Sequence, residues 1–221
     1  MKKVYNILNI ALILAILVGD VFYIVYGGLL IKSITSACFF VLGLINLIYA
    51  IRMKTPRLKF AIYMVIGLFF AMMGDIILEI HFITGAALFA IGHVFYFIAY
   101  CHVISFKWKD LIYGACIFVP ATLFITLAPI FDFGGILMEL VCIIYAIIIS
   151  IMVGKSISNY VASKNILNLI IMIGSILFMF SDIMLLLNVF ADLPRIVGIL
   201  CLATYYPAEC LLAYTIMKSD N

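Results

Sequence analysis

Long apolar runs separated by short polar stretches set the pattern of this chain. Eight runs approach the roughly 20 residues that a helix needs to cross a bilayer. They lie at about 4–26, 30–51, 60–80, 85–104, 111–127, 133–153, 165–190 and 196–217. A membrane β-barrel would instead show segments of about ten residues with alternating hydrophobicity, so the pattern predicts helices. The connections read as turns or polar loops: Gly27-Gly28, the basic stretch 52–59, a turn at 81–84, the loop 106–110, Pro129, the polar stretch 154–164 and a turn at 192–194. The expectation is an all-α membrane protein, a bundle of eight transmembrane helices forming a single domain over residues 1–221.

Composition agrees. The 221 residues are 68% hydrophobic and 10% charged, with mean hydropathy +1.36, against about 25% charged in a soluble domain. The net charge of +3 is spread over loops and implies no nucleic-acid partner; the bilayer is the expected surrounding. The six cysteines all fall in apolar runs without a CxxC pair and read as buried free thiols. Lys2 and Lys3 precede an apolar run without a clear small-x-small cleavage site, so a retained first span is expected rather than a cleaved signal peptide. Basic residues alternate sharply between sides. Lys2, Lys3, Arg52, Lys54, Arg57, Lys59, Lys107, Lys109, Lys155, Lys164 and Lys218 fall on one side, and only Lys32 and Arg195 near span ends on the other. The positive-inside rule then puts both termini in the cytoplasm, and the cell membrane is the expected location.

One stretch occurs twice. Residues 66–79 and 173–186 each contain Ile-Gly, then a small residue and Asp, the Asp eight positions after the Gly, then Ile-x-Leu. Asp75 and Asp182 thus hold matched places in spans 3 and 7. Four spans separate them, so both helices run the same way, and the halves 1–105 and 110–218 would be parallel four-helix repeats. A weaker echo aligns Gly85, His93 and Tyr96 with Gly198, Tyr206 and Glu209.

At about 1.5 Å per residue, Asp75, Asp182, Asp20, Glu139 and His93 lie about 21–27 Å from the basic residue at the cytoplasmic end of their spans, and Tyr205, Tyr206 and Glu209 about 14–20 Å. The ionisable groups therefore gather in the half of the membrane away from the cytoplasm. Asp75 with Glu79, His93 with Tyr96, and Tyr205 with Glu209 each share a helix face. Such stripes face a bundle interior or a wet cavity. Packing hydrogen bonds would equally account for His93, Tyr96, Tyr205 and Tyr206, headgroup contact for Asp20, and an interfacial position for Glu79 and Glu139. Three scattered histidines, no HExxH and no Cys/His cluster argue against a metal site. No nucleophile elbow, P-loop or dinucleotide motif is present.

The run Gly74-Asp75-Ile-Ile-Leu78, then Gly85…Phe89…His93…Tyr96, then Gly174…Phe178…Ser181-Asp182…Leu185, then Tyr205-Tyr206-x-x-Glu209 resembles the YhhN-like family of lysoplasmalogenases. The resemblance covers nearly the whole chain. The last motif more usually ends in Gln, where this chain has Glu209. It implies a membrane hydrolase that splits the vinyl ether bond of a lysoplasmalogen, a lysophospholipid, into a fatty aldehyde and a glycerophospho-alcohol. Vinyl ethers hydrolyse by protonation at carbon and attack of water on the resulting oxocarbenium ion, as in glycoside hydrolysis. Two carboxyl groups in an apolar site can supply the acid and the base, without a cofactor. Asp75 and Asp182 are the expected catalytic pair, their individual roles open. Asp20, His93, Tyr96, Glu139, Ser181, Tyr205, Tyr206 and Glu209 are expected to bind substrate or orient water. A small proton-coupled transporter and a lipid-binding membrane protein are the alternatives. Vesicle accumulation without product would mark the first, and intact recovery of bound lipid the second. Oligomeric state is not legible.

Overall fold

The computed structural model describes residues 2–220. Eight α-helices follow in order: α1 (Lys2–Tyr26), α2 (Leu29–Arg52), α3 (Leu58–Leu78), α4 (Phe82–Val103), α5 (Asp110–Leu127), α6 (Ile136–Ala162), α7 (Ile166–Phe190) and α8 (Ile196–Met217), with a closing 3₁₀ turn at Lys218–Asp220. All eight are long and apolar enough to cross a membrane, and no strand occurs among the described residues. The protein is an all-α, multi-pass membrane bundle.

The helix ends follow local chemistry. Gly27 and Gly28 turn the chain between α1 and α2 with φ of +68° and +100°, a region where a side chain would be strained. Asn165 caps α7 by accepting from the Asn168 amide, and His81 caps α4 through Thr84. Pro120 and Pro207 sit within α5 and α8, and both helices continue through them.

One segment departs from the sequence expectation. The stretch 154–164, read as a polar loop, is helical as far as Ala162. Its buried donors bond to neighbouring groups in the bundle, while Asn159 Oδ1 is unpartnered. Lys155 is buried and pairs with Asp110 at 2.6 Å, Ser158 donates to the same carboxylate, and Asn159 donates to the Tyr100 carbonyl. Gly154 backs directly onto Gly114, which lets α5 and α6 approach closely. Lys155 is therefore not a loop cation. Nor is Lys32 at a span end open to water: it is buried inside the bundle.

Packing is most extensive within the hairpins α3–α4, α7–α8 and α5–α6. Helix α8 sits centrally, touching α1, α2, α3 and α7, while α5 packs almost entirely against α6. Helix α4 meets α6 and α8 meets α2, an exchange-related pair of contacts, but the packing of α8 on α1 and α3 has no counterpart of similar extent. The two parallel repeats are not established by this arrangement. The core is filled by Phe39, Phe60, Leu68, Phe89, Phe178 and Leu212, among others, and the outer faces are also apolar, as a bilayer requires. The six cysteines are free thiols, but burial holds only for Cys142 and Cys210. Cys116 is exposed because α5 has a single substantial packing partner.

Candidate functional site

Each of the two motif aspartates gathers a cluster of polar side chains inside the bundle. The first is centred on Asp75, in the last turn of α3. Lys32 Nζ lies 3.1 Å from Asp75 Oδ1, Tyr206 donates to Oδ2 at 2.9 Å, and Ser36 donates to the same oxygen. Both carboxylate oxygens are thus engaged. Lys32 also donates to Glu79 Oε1 at 2.8 Å, and the Tyr23 hydroxyl donates to that same atom. Glu79 follows α3 as its C-cap. Burial pushes its carboxyl up, but the hydrogen bonds from Lys32 and Tyr23 and the Lys32 charge outweigh this and hold it below the usual glutamate value.

The second cluster is centred on Asp182 of α7. Tyr145 of α6 donates to Asp182 Oδ2 at 2.7 Å, and His93 Nε2 of α4 stands 2.8 Å from the Tyr145 oxygen and 3.4 Å from Oδ2. The single tyrosine proton points to Asp182, so His93 donates through Nε2–H and its buried Nδ1 is left as an unpartnered acceptor. Asp182 Oδ1 has no hydrogen-bond partner among the described residues. Asp75 is saturated, whereas Asp182 has an oxygen to spare.

Two cavities meet at this point. A polar one of about 570 Å³ is bordered by Lys32, Asp75, Glu79, Ser181, Asp182 and Arg195. An apolar one of about 490 Å³ lies between α4, α5, α6 and α7, lined by residues such as Phe124, Ile125, Val141, Ile149 and Met179. Leu78, Phe82, Phe89, Asp182 and Leu185 border both. Asp182 is the charged residue shared by the two.

The expected site residues divide accordingly. Asp75, Asp182, Ser181 and Tyr205 border the polar cavity together, and Tyr206 and His93 reach the two aspartates by hydrogen bond or close approach. Ser181 itself donates to the Cys201 carbonyl, and the Tyr205 hydroxyl to the Ala71 carbonyl at 3.4 Å. Tyr96 donates to Glu209 Oε2 at 2.8 Å, and both side chains are fully buried behind the site, with Glu209 Oε1 unpartnered. Asp20 is buried on α1 with Oδ1 unpartnered, and Glu139 lies in the first turn of α6; neither lines either of these two cavities. Among the described residues, no three His, Cys, Asp or Glu side chains converge in a way that could hold a metal ion.

The sequence reading missed Lys32, Tyr145 and Ser36. Lys32 and Ser36 are four apart on one face of α2, a spacing that marks a polar stripe like those singled out elsewhere. Tyr145 had no comparable signal, since its neighbours three and four residues away, Val141, Cys142, Ile148 and Ile149, are all apolar.

No match was found to a curated protein or to a solved structure. The model of the YhhN family matches residues 29–216. That match begins at the first residue of α2 and takes in both aspartates, Lys32, His93, Tyr145 and the tyrosines of α8. Covering most of the chain, it shows that this protein belongs to the YhhN family.

Proposed function

We propose that the protein is a hydrolase cleaving the vinyl ether bond of lysoplasmalogens to a fatty aldehyde and a glycerophospho-alcohol, with the bilayer as the source of substrate. The observation that carries this reading is the place of Asp182 on the boundary between a polar and an apolar cavity. A lysolipid is a polar head joined to one chain, and its vinyl ether lies at that junction. Head in one cavity and chain in the other would bring the scissile bond to Asp182.

The chemistry divides between the aspartates. Asp182, carrying a proton, delivers it to the alkene carbon farther from the ether oxygen. The C=C electrons take up that proton and positive charge spreads over the adjoining carbon and oxygen. The resulting oxocarbenium ion is stabilised by the fixed negative charge of Asp75, which Lys32, Ser36 and Tyr206 hold in place. Water attacks the cationic carbon and gives its proton back to Asp182. The hemiacetal then collapses as its hydroxyl loses a proton and the glycerol oxygen gains one, releasing aldehyde and alcohol. Tyr145 and His93 position the Asp182 carboxyl. Neither redox change nor cofactor enters this balance. Both termini in the cytoplasm and residence in the cell membrane belong to the same proposal, supported by the asymmetry of the loop cations.

The test is aldehyde release, read by mass spectrometry, from purified protein given vinyl-ether, alkyl-ether and acyl lysolipids side by side. Aldehyde from the vinyl ether alone is expected. Asp182→Asn should lose about 10²–10⁴-fold in kcat, the usual share of general acid–base catalysis. Intact recovery of all three lipids would refute the hydrolase and favour a lipid-binding protein, and product-free accumulation in sealed vesicles would favour a transporter.

A further inference from the structure

The polar cavity proposed to take the lipid head is bordered by charged residues to which the reaction above gives no role. Tyr26 and Gly27 end α1, Glu79 caps the end of α3, and Arg195 stands at the start of α8. All are at the ends of membrane-spanning helices on one side of the bundle, and span ends adjoin the headgroup region of a bilayer. Two opposite charges border the cavity here without meeting. Arg195 is in none of the ion pairs formed among the described residues. Among the described residues its side chain makes one hydrogen bond, from Nη2 to the Ile24 carbonyl at 2.7 Å, and the rest of the guanidinium fork has no acceptor there. Glu79 receives both Lys32 and Tyr23 on Oε1, Oε2 has no partner among the described residues, and its side chain is 40% exposed.

Separate anchors keep these charges apart. Arg195 is tied to the carbonyl of Ile24, Glu79 to the hydroxyl of Tyr23, and the two anchoring residues are neighbours on α1. Lys32 is shared between Asp75 and Glu79, so one positive charge faces two negative ones and the Glu79 edge keeps an excess of negative charge. The cavity border thus carries a cation and an anion that are not paired with each other. A ligand carrying the reverse pair would satisfy both.

Resting on the hydrolase reading, we infer that this end of the cavity is a headgroup subsite built for a phosphate ester bearing a primary ammonium. Arg195 takes the phosphate through its remaining N–H groups, a geometry suited to planar, bidentate recognition. Glu79 Oε2 accepts from the ammonium. A quaternary ammonium has no N–H to give, so phosphoethanolamine is preferred to phosphocholine. A phosphoglycerol head, with a charge on the phosphate alone, leaves Glu79 without a counter-charge.

Saturated alkyl-ether lysolipids test the subsite without turnover, because they have no double bond to protonate. Thermal stabilisation of the full chain in detergent is titrated with phosphoethanolamine, phosphocholine and phosphoglycerol forms of one chain length, and with free phosphoethanolamine. The phosphoethanolamine lipid is expected to reach its midpoint at about a tenfold lower concentration than the other two, as one charge-assisted hydrogen bond would give. Equal midpoints for the three lipids in the unmodified protein overturn the inference, and so does free phosphoethanolamine matching the lipid. Glu79→Gln should erase the preference while leaving the phosphoglycerol midpoint unmoved, and Arg195→Gln should weaken all three. A Glu79→Gln protein that keeps the preference also overturns it. Headgroup preference without aldehyde release from vinyl ethers would leave this subsite standing and remove the hydrolase reading.

Discussion

Replacing Lys32 with methionine separates what holds this site from what performs its chemistry. Lys32 is buried, 3.1 Å from Asp75 and 2.8 Å from Glu79, with both partners of the first pair having side chains 5% exposed. Lys32→Met keeps most of the volume and removes the charge. Asp75 is then left with the hydrogen bonds of Ser36 and Tyr206 and no cation. Breaking a buried pair from one side costs about 3–5 kcal/mol. At about 2–4 °C per kcal/mol for a chain of this length, the melting temperature should fall by on the order of 10 °C. Lys32→Met with Asp75→Asn removes both charges and should recover to within about 1–2 kcal/mol of the parent, since paired removal of a buried ion pair is close to neutral. The double variant should therefore be more stable than Lys32→Met by about 1–4 kcal/mol. The assay is intrinsic-fluorescence melting in one detergent, paired with aldehyde release in liposomes. The double variant should fold and remain inactive, because the fixed charge of Asp75 is gone. A Lys32→Met protein melting within about 2 °C of the parent would refute the reasoning that this pair is load-sharing in the bundle.

Three further outcomes follow from the geometry. Tyr145→Phe removes the hydroxyl between His93 and Asp182 and should lower kcat about 10- to 100-fold, the worth of one hydrogen bond to a charged group, with little change in KM; an unchanged kcat would remove Tyr145 from the positioning of Asp182. Lys155→Met should destabilise by about 3–5 kcal/mol, because Asp110 loses its 2.6 Å partner, while Asp110→Asn with Lys155→Met melts close to the parent; equal melting of the single and double variants would contradict this. The Glu79 carboxyl is held below its usual value, so its contribution to stability is present above the unfolded-state value of about 4.3 and is lost as pH falls through the lower folded value. Melting followed from about pH 6 to pH 3 should show an acid-side loss that Glu79→Gln lacks, and identical profiles would count against it.

The eight helices were legible because apolar run length is a direct consequence of bilayer thickness. The error at 154–164 has the opposite cause. A Gly-Lys-Ser-x-Ser-Asn stretch looks like a water-exposed loop by composition, yet Asp110 and the Tyr100 carbonyl satisfy it from other helices. Sequence does not carry those partners. The same reason hid Lys32, whose nearness to a span end made it look solvated. Asp75 and Asp182 stood out because acids in apolar helices are rare, and the structure brings both to the border of one cavity. Their unlike surroundings were beyond the sequence. Matched motifs suggest matched roles, but Lys32, Ser36 and Tyr206 surround one aspartate, and Tyr145 and His93 the other. Asp20 and Glu139 satisfied the same depth criterion and line neither of the two cavities. Depth selects a layer, not a face.

The apolar cavity beside Asp182 is walled in part by α5, the helix whose packing is almost entirely on α6. Under the proposed reaction, a lipid chain entering it passes from one oil to another. The gain of about 0.8 kcal/mol per methylene applies to leaving water, and a chain already in the bilayer has left it. Lengthening the chain should therefore change affinity from a membrane very little. Discrimination between substrates then falls to the polar end, and an enzyme of this construction sorts its lipids by their heads while remaining nearly indifferent to their tails.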